Sequence, residues 1–286
     1  MRKKGFSVQT ILISPDKHFN STSSNGTKPR DRHDPRALSC LLQVIKDLKP
    51  DWHIGLGDTG HYSYISHWNV DKGIYGRSAS EDGETIQSNI SNDNNLINRW
   101  LDHLQAAMPR GSRMDELEGN HEQILRESRQ MPKYSALVNS DWYPEKVWRL
   151  KERGINWTTY QPYNGKKNWV EIGKHLKVIH GMYAGTTHLT RHWQAFQSNL
   201  IYGHMHTRES RDYMHPVYSS VIQTIGCLCM KEASYHGGRL NAWAQGFSIV
   251  YLMPDGRFFD SWVRILDGRC IVDGKTYEAK REGWVE

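Results

Sequence analysis

The chain has 286 residues, which is long enough to bury a sizeable hydrophobic core without the disulfide or metal staples that small domains need. Its formal net charge of +6 favours a polyanionic partner, and no run approaches the roughly 18 consecutive apolar residues of a membrane-spanning helix. The four cysteines are few for this length, so we expect buried free thiols and a reducing, cytoplasmic compartment. A membrane partner and a disulfide framework are not expected.

The first part of the chain alternates predicted strands and helices. GFSVQTILIS predicts a buried strand, and Asp34 and Pro35 then supply the cap and first turn of the amphipathic helix ALSCLLQVIKDL. DWHIGLGD predicts a second strand, and NNLINRWLDHLQAAM predicts a second amphipathic helix before a short strand near SRMDELEGNHE. The polar stretch between the second strand and the second helix is too long for an ordinary connection. We therefore interpret residues 61–95 as an insertion or an irregular segment.

Residues 130–174 show no clear hydrophobic period, so we interpret them as a second insertion or as irregular structure. Beyond them, HLKVIHG and SNLIYGHMH predict two strands, which a helix in THLTRHWQAFQ separates. From Pro216 onward the pattern alternates strands and turns. No repeat or linker divides the chain, and residues 1–286 are therefore interpreted as one α/β domain.

Side chains that can bind metal ions follow five of the predicted strands. At these strand ends the sequence reads DKH, GD, GNHE, IHG and GHMH, which supply Asp16, His18, Asp58, Asn120, His121, His180, His204 and His206. Each block alone is weak evidence, because the chain has 15 histidines and Gly-Asp or Gly-Asn pairs are ordinary turn residues. The carboxyl ends of strands in an α/β sheet gather at one edge, however, so the five blocks together predict one site.

In this order the five blocks resemble the calcineurin-like metallophosphoesterase superfamily, whose pattern is DxH, GD, GNH followed by an acid, H, and GHxH. The resemblance extends through its motifs from Asp16 to His206, and the strands after Pro216 carry no motif. It implies a four-layer α-β-β-α sandwich of two mixed sheets. It also implies two divalent transition-metal ions, with manganese favoured and iron, zinc, cobalt or nickel as alternatives.

The resemblance also implies a role for each ligand. Asp58 would bridge the two ions, while Asp16, His18 and His206 would complete the first ion and Asn120, His180 and His204 the second. Two ions held in this way clamp a phosphate and generate hydroxide at neutral pH. The implied activity is therefore phosphoester hydrolysis by in-line attack of that hydroxide.

Three neighbouring residues receive separate expectations. His121 would donate a proton to the leaving oxygen or stabilise charge on the phosphate. Lys17 is expected to point outward at the end of its strand. His61 follows Asp58 in a GDxxH arrangement that is found in some nucleases of the superfamily, and both a catalytic role and an ordinary loop position stay open for it.

Differences between this sequence and the motifs of individual branches of the superfamily indicate which class of phosphoester is the expected substrate. The second block reads GDTGHYS where the protein serine/threonine phosphatases have GDxxDRG, so protein dephosphorylation is a minority hypothesis. Phosphodiester cleavage in DNA or RNA is favoured, by analogy with Mre11-like and SbcD-like nucleases and with the compact phosphoesterases of bacteria and bacteriophages. Phosphomonoester hydrolysis of a nucleotide or small metabolite is the alternative. A metal-bound interaction protein with little catalysis is the third hypothesis.

A basic segment supports the nucleic-acid hypothesis. Residues 145–191 contain nine basic and three acidic residues, so the excess positive charge of the chain lies there. Aromatic residues are interleaved with these charges, among them Trp148, Trp157, Tyr160, Tyr163 and Trp169. Such interleaving can stack bases beside bound phosphates, although a solvated face over core tryptophans has the same pattern.

Overall fold

The computed structural model describes residues 7–21, 32–62, 65, 83–128, 142–162, 165–214, 219–231 and 240–279. The helices in these ranges are α1 (Pro35–Leu48), α2 (Gly83–Ala107), α3 (Asn120–Ser128), α4 (Pro144–Val147) and α5 (His188–Phe196). The strands are β1 (Gln9–Ser14), β2 (Trp52–Gly55), β3 (Arg113–Leu117), β4 (Asn156–Thr158), β5 (Val170–Ile172), β6 (Leu176–Ile179), β7 (Asn199–Tyr202), β8 (Arg208–Met214), β9 (Ser219–Ile225), β10 (Gly246–Leu252), β11 (Phe258–Arg264), β12 (Arg269–Val272) and β13 (Lys275–Glu278). None of the helices in this part of the chain is long and apolar enough to cross a membrane.

The strands form two mixed sheets and a hairpin. The first sheet has the order β11-β10-β1-β2-β3-β4, in which β1 to β4 are parallel and β10 and β11 are antiparallel to their neighbours. The second has the order β5-β6-β7-β9-β8, with β6, β7 and β9 parallel. Strands β12 and β13 pair only with each other. Because β1 pairs with β10, strands from both ends of the chain share the first sheet.

Three groups of buried side chains show how the layers stack. The largest packs α1 and α2 on the first sheet and includes Trp100. A second lies between the two sheets and joins Ile54 of β2 to Val178 of β6. The third packs α5 on the other face of the second sheet, where Leu189 contacts the group around Tyr202. The expected four-layer arrangement of two mixed sheets is therefore confirmed.

Helix α1 begins where its sequence predicts. The side chain of Asp34 accepts hydrogen bonds from the backbone N–H groups of Arg36 and Ala37, and Pro35 occupies the first turn. This satisfies donors that have no partner inside the helix. The helix ends at Lys49, whose left-handed backbone allows its N–H to donate to the carbonyl of Ile45.

Two elements differ from the expectation. Helix α2 begins at Gly83 rather than near Asn94, because only its later turns carry a hydrophobic period. Strand β8, RESRDYM, is an edge strand with mostly exposed side chains, so no alternation of apolar residues marks it. The segment of residues 130–174 contains α4, β4 and β5, and its interpretation as an insertion stays a prediction. Residues 63–64, 66–82 and 129–141 lie outside the described residues.

Candidate metal centre

The predicted ligands follow strands that end on the same side of the molecule. Asp16 and His18 follow β1, Asp58 follows β2, Asn120 follows β3, His180 follows β6, and His204 and His206 follow β7. Parallel pairing of β1 with β2, β2 with β3, and β6 with β7 places these loops side by side. The structure therefore brings all seven predicted ligands together.

Four of these side chains form a cluster, which we call the first position. One carboxylate oxygen each of Asp16 and Asp58, and one ring nitrogen each of His18 and His206, lie within 4.8 Å of one another. Nε2 of His206 lies 3.0 Å from Nε2 of His18 and 3.3 Å from Oδ1 of Asp16. All four side chains are buried. They are the set predicted for the first ion.

A second cluster, the second position, shares Asp58 with the first. An oxygen of Asp58 and ring nitrogens of His180 and His204 lie within 4.8 Å of one another. Oδ1 of Asn120 is 2.8 Å from Nδ1 of His204 and 3.1 Å from Nε2 of His180. Oδ2 of Asp58 lies 3.4 Å from Nε2 of His180. Asp58 thus lies where a bridging carboxylate is expected.

Two glycines of the sequence blocks allow the loops to approach the carboxylates. A Cβ atom at Gly119 would lie 2.1 Å from Oδ1 of Asp58, and a Cβ atom at Gly203 would lie 2.1 Å from Oδ2 of Asp16. The backbone N–H of His204 donates to Oδ1 of Asp16 at 2.9 Å. Any side chain at either glycine would displace a carboxylate of the site, which explains the glycines of GNH and GHMH.

Four predicted ligands have left-handed backbone conformations. The angle φ is +53° at His18, +45° at Asp58, +64° at His204 and +59° at His206. Residues with a Cβ atom rarely adopt this region, and each instance costs on the order of 1–3 kcal/mol. Strain of this kind persists where packing and hydrogen bonds enforce it, and it is typical of functional sites.

Glu122 connects the loops that follow β2 and β3. Its Oε2 accepts hydrogen bonds from the backbone N–H groups of Asp58 at 2.9 Å and Gly119 at 2.8 Å, and its Oε1 accepts from Gly60 at 2.7 Å. The side chain is fully buried, and burial together with Asp58 raises its pKa. The acid of the GNHE block was visible in the sequence without a role, and the structure identifies it as a positioning residue.

The protonation preferences differ among the side chains of the site, because burial and the neighbouring carboxylates act in opposite directions. Burial lowers the pKa of His18 well below its usual value and that of His204 to about 4, so both rings are neutral at pH 7. Burial works against the charged form of His180, but Asp58 raises the pKa of His180 to about 9. Burial also opposes ionisation of Asp58, yet His180 and His121 hold its pKa well below the usual range. The shared carboxylate is therefore an anion that attracts positive charge.

The donor atoms fit divalent transition-metal ions. Such ions bind imidazole nitrogen and carboxylate oxygen at about 2.0–2.2 Å, which separates neighbouring ligand atoms by roughly 3 to 3.5 Å. The separations of 2.8 Å to 3.4 Å in the second position agree with this geometry. Mixed nitrogen and oxygen donors suit manganese, iron, zinc, cobalt or nickel better than magnesium or calcium, which prefer oxygen alone.

His121 and His61 lie beside the first position. The backbone N–H of His121 donates to Oδ1 of Asp58 at 3.0 Å, and Nδ1 of His121 contacts the carbonyl oxygen of His61. The two rings stack with their centroids 5.1 Å apart, and each meets the ring of His18 edge-on. His121 is half-buried, whereas Nε2 of His61 is buried and has no hydrogen-bond partner among the described residues. His61 therefore lies within the site, and its catalytic role stays a prediction.

The expectation that Lys17 points outward is wrong. Its side chain is fully buried, and its ammonium group makes no hydrogen bond within the described part of the chain. The backbone N–H groups of Lys17 and His18 both donate to the carbonyl oxygen of Asp58, which turns the loop inward. The ammonium group of Lys17 lies near Glu116. Burial raises the pKa of Glu116, and the nearby Lys17 lowers it.

The basic segment divides into a buried and an exposed part. Trp148 is fully buried and forms an edge-on contact with the partly buried Trp157, so it belongs to the core and cannot stack on a base. Trp169 is half-buried, and the ammonium groups of Lys167 and Lys177 lie 5.2 Å and 5.1 Å from its ring centroid. Tyr163 lies outside the described residues.

Two further aromatic residues border the metal positions. The ring of Tyr160 meets His180 edge-on at 5.7 Å, so this residue of the basic segment lies at the site. Trp243 meets His206 edge-on at 4.2 Å. The backbone N–H of Ala244 donates to the carbonyl of His206 at 2.9 Å, which holds the segment of Trp243 in place. No motif marks Trp243, because only this long-range pairing brings it to the site.

Five ordered blocks, two stacked mixed sheets and two donor clusters that share one aspartate now occur together in one chain. The architecture and the two donor clusters agree with the resemblance to the calcineurin-like metallophosphoesterase superfamily. No protein-family model matches the chain, and no curated protein matches it. Three similar solved structures all have low sequence identity.

TT1561 of Thermus thermophilus is 9% identical, with a TM-score of 0.35 and coverage of 89% of this chain and 99% of that one. Chaetomium thermophilum Vps29 is 7% identical, with a TM-score of 0.34 and coverage of 89% and 97%. Purple acid phosphatase PPD1 from yellow lupin (Lupinus luteus) seeds is 13% identical, with a TM-score of 0.32 and coverage of 91% and 54%. These TM-scores are low, so the chemistry of the site is inferred from its own residues.

Proposed function

We propose that this protein is a phosphoester hydrolase that uses two divalent transition-metal ions. The observation that supports this most directly is the position of Asp58, whose carboxylate belongs to both donor clusters. Enzymes that cleave phosphoesters with two ions hold them about 3.5–4 Å apart, so that both the attacking and the leaving oxygen are stabilised. A site for one structural ion would not require a second set of donors on the other side of the same carboxylate.

The residues that would hold the ions are those of the two positions. Asp16, His18 and His206 would bind the first ion, Asn120, His180 and His204 the second, and Asp58 both. When bound, the ions would polarise phosphoryl oxygens and lower the pKa of bound water to near 7. Because metal ligands must be deprotonated, the neutral state that burial imposes on His18 and His204 favours this role.

His121 is proposed to act on the leaving group. Its backbone is anchored to Asp58, and its Nδ1 is engaged by the carbonyl of His61, so Nε2 is the nitrogen that can face a substrate. From there the ring can donate a proton to the leaving oxygen or stabilise negative charge on the phosphate. The half-buried position of His121 beside the first position suits this role.

We propose a phosphodiester as the preferred substrate, with nucleic acid as the main candidate. The position of His61 supports this, because the GDxxH arrangement is the one that the motif resemblance associates with nucleases. Lys167 is exposed, Lys177 is half-buried, and their ammonium groups lie near the half-buried ring of Trp169, where Glu171 accepts hydrogen bonds from Lys167 and Trp169. Positive charge around an aromatic ring suits a phosphate backbone. Since Trp148 belongs to the core, the support from the basic segment is smaller than its sequence indicates.

A substrate panel tests both parts of the proposal. We expect the metal-loaded protein to hydrolyse an aryl phosphodiester faster than an aryl phosphomonoester, and to cleave single-stranded or duplex DNA or RNA. Cleavage of nucleic acid should fall steeply with salt if lysines bind its phosphates. A preference for the monoester would indicate a nucleotide or metabolite phosphatase. A protein that holds two ions and hydrolyses none of these substrates would contradict the enzymatic proposal.

A further inference from the structure

A thiol lies against the first position. Sγ of Cys229 and one ring nitrogen each of His18 and His206 lie within 4.8 Å of one another. Cys229 is 3% exposed and, like the other three cysteines of the chain, is a free thiol. His18 and His206 therefore occur together in two donor groups. The carboxylates of Asp16 and Asp58 complete one group, and the sulfur of Cys229 completes the other.

Backbone contacts fix the segment that carries this sulfur. The N–H of Leu228 donates to the carbonyl oxygen of Asp16 at 2.7 Å, which ties the segment to the first ligand loop. The carbonyl of Cys229 accepts a hydrogen bond from Nε2 of Gln245 at 2.8 Å. Gly226 turns the chain after β9 with φ at +83°, where a Cβ atom would meet a backbone oxygen at 2.1 Å. The fold itself thus sets the position of the thiol.

His206 faces the other ligands of the first position through one ring nitrogen. Its Nε2 faces Asp16 and His18, while its Nδ1 is buried and has no hydrogen-bond partner in the described ranges. Sγ of Cys227 lies 3.9 Å from the carbonyl oxygen of Cys229, and among the described residues Cys227 belongs to none of the donor groups.

We propose that Cys229 provides a thiolate ligand to the ion in the first position. This inference rests on the proposed two-metal function. Zinc binds sulfur at about 2.3 Å and imidazole nitrogen at about 2.0–2.1 Å, so one ion spans sulfur and nitrogen atoms up to about 4.4 Å apart. Sγ of Cys229 and the ring nitrogens of His18 and His206 lie within 4.8 Å of one another, which is close to this span. On binding, the ion displaces the thiol proton to solvent.

A thiolate changes which metal the first position prefers. Sulfur is a softer donor than carboxylate oxygen, and thiolates favour zinc and cobalt over manganese. The second position offers only nitrogen and oxygen donors among the described residues. We therefore expect zinc or cobalt in the first position, whereas the sequence resemblance favoured manganese for both.

The test is X-ray absorption at the zinc edge of the protein loaded with two zinc ions. The two zinc ions together are expected to have one sulfur neighbour, which binds the ion in the first position at about 2.3 Å. The remaining neighbours are nitrogen and oxygen atoms at about 2.0–2.1 Å. Cys229→Ser should lose the sulfur neighbour, and Cys40→Ser should keep it, because Sγ of Cys40 bonds to the carbonyl of Gly268 away from the site. A shell of nitrogen and oxygen alone in the unmodified two-zinc protein would overturn this inference and leave the proposed function standing. Failure to bind zinc, cobalt or manganese would contradict the proposed function itself.

Cobalt(II) gives a second readout that does not involve catalysis. The cobalt-loaded protein should show a near-ultraviolet charge-transfer band from thiolate to metal, which Cys229→Ser removes and Cys227→Ser retains. The opposite pattern would assign the ligand to Cys227 and overturn the proposal. In competition between zinc and manganese, Cys229→Ser should reduce the preference for zinc by roughly 10–100-fold, the range typical for loss of a metal-site partner.

Discussion

The two proposed metal positions differ in depth. Asp16, His18 and His206 of the first position are 0%, 5% and 6% exposed, whereas Asn120 and His204 of the second are half-buried. A ligand set closed off from solvent exchanges its ion slowly, and a set beside solvent leaves room for substrate. We therefore expect the first position to retain its ion longest and the second to meet a substrate phosphate first.

The largest effect is expected from Asp58→Asn, which would erase the difference between the positions because both depend on this carboxylate. Both ions should bind more weakly, and hydrolysis should fall by about 10³-fold or more, since the ions supply several kcal/mol of transition-state stabilisation. Metal content and hydrolysis rate should be measured on the same sample. Asp255→Asn changes an exposed carboxylate in the turn after β10 and should alter neither. Two tightly held ions and a normal rate in Asp58→Asn would remove its bridging role.

A change at His121 sharpens the comparison, because this residue lies beside Asp58 and belongs to neither predicted ligand set. His121→Ala should keep both ions and lose roughly 10²–10⁴-fold in turnover, the usual contribution of a general acid. The measurement is kcat together with metal stoichiometry. The exposed His175 is the control position, and His175→Ala should behave like the unmodified protein. Loss of an ion in His121→Ala would make His121 a ligand, and an unchanged rate would remove its catalytic role.

His204 and His206 form a matched pair for separating the positions. His204→Ala should weaken the second ion, and His206→Ala the first, each by more than the roughly 10–100-fold that loss of an outer-shell partner costs. Competition with a chelator of known affinity measures each ion separately. If both variants lose the same ion, these two histidines do not serve different positions.

The smallest effect is expected at Glu122, which contacts the loops of both positions through backbone N–H groups and is not itself a predicted ligand. Glu122→Gln should weaken both ions about equally, by roughly tenfold, because an amide donor replaces one of the two oxygens that accept backbone hydrogen bonds. Glu127→Gln, an exposed change on the same helix, is the control for metal affinity and melting temperature. Loss of one ion only would show that Glu122 supports a single position.

The parts of the fold that the sequence predicts well are those with a strong local pattern. The Asp34 and Pro35 cap precedes an apolar helical period, and both the start and the end of α1 agree with it. The five blocks place each ligand directly after a strand, and the glycines among them are required because a side chain there would meet Asp58 or Asp16. Local rules of this kind act within a few residues, so one sequence reveals them.

The features that the sequence does not predict depend on contacts between distant segments. Lys17 is buried because its loop bonds to the carbonyl of Asp58, and Cys229 reaches the site because Leu228 bonds to Asp16. The burial of Trp148 likewise depends on its contact with α2, where Asn94 accepts its indole N–H at 3.0 Å. Charge and aromatic content in residues 145–191 could not distinguish this core tryptophan from the half-buried Trp169.

The most direct test of the two-metal account is the metal content of the protein after reconstitution and removal of excess metal. Purified protein should be stripped with a chelator, reloaded with zinc, cobalt or manganese in turn, and analysed by mass spectrometry of the elements. The account predicts two ions per chain for at least one of these metals, with one ion leaving more slowly on renewed chelation. A folded protein that binds none of the three metals would contradict it.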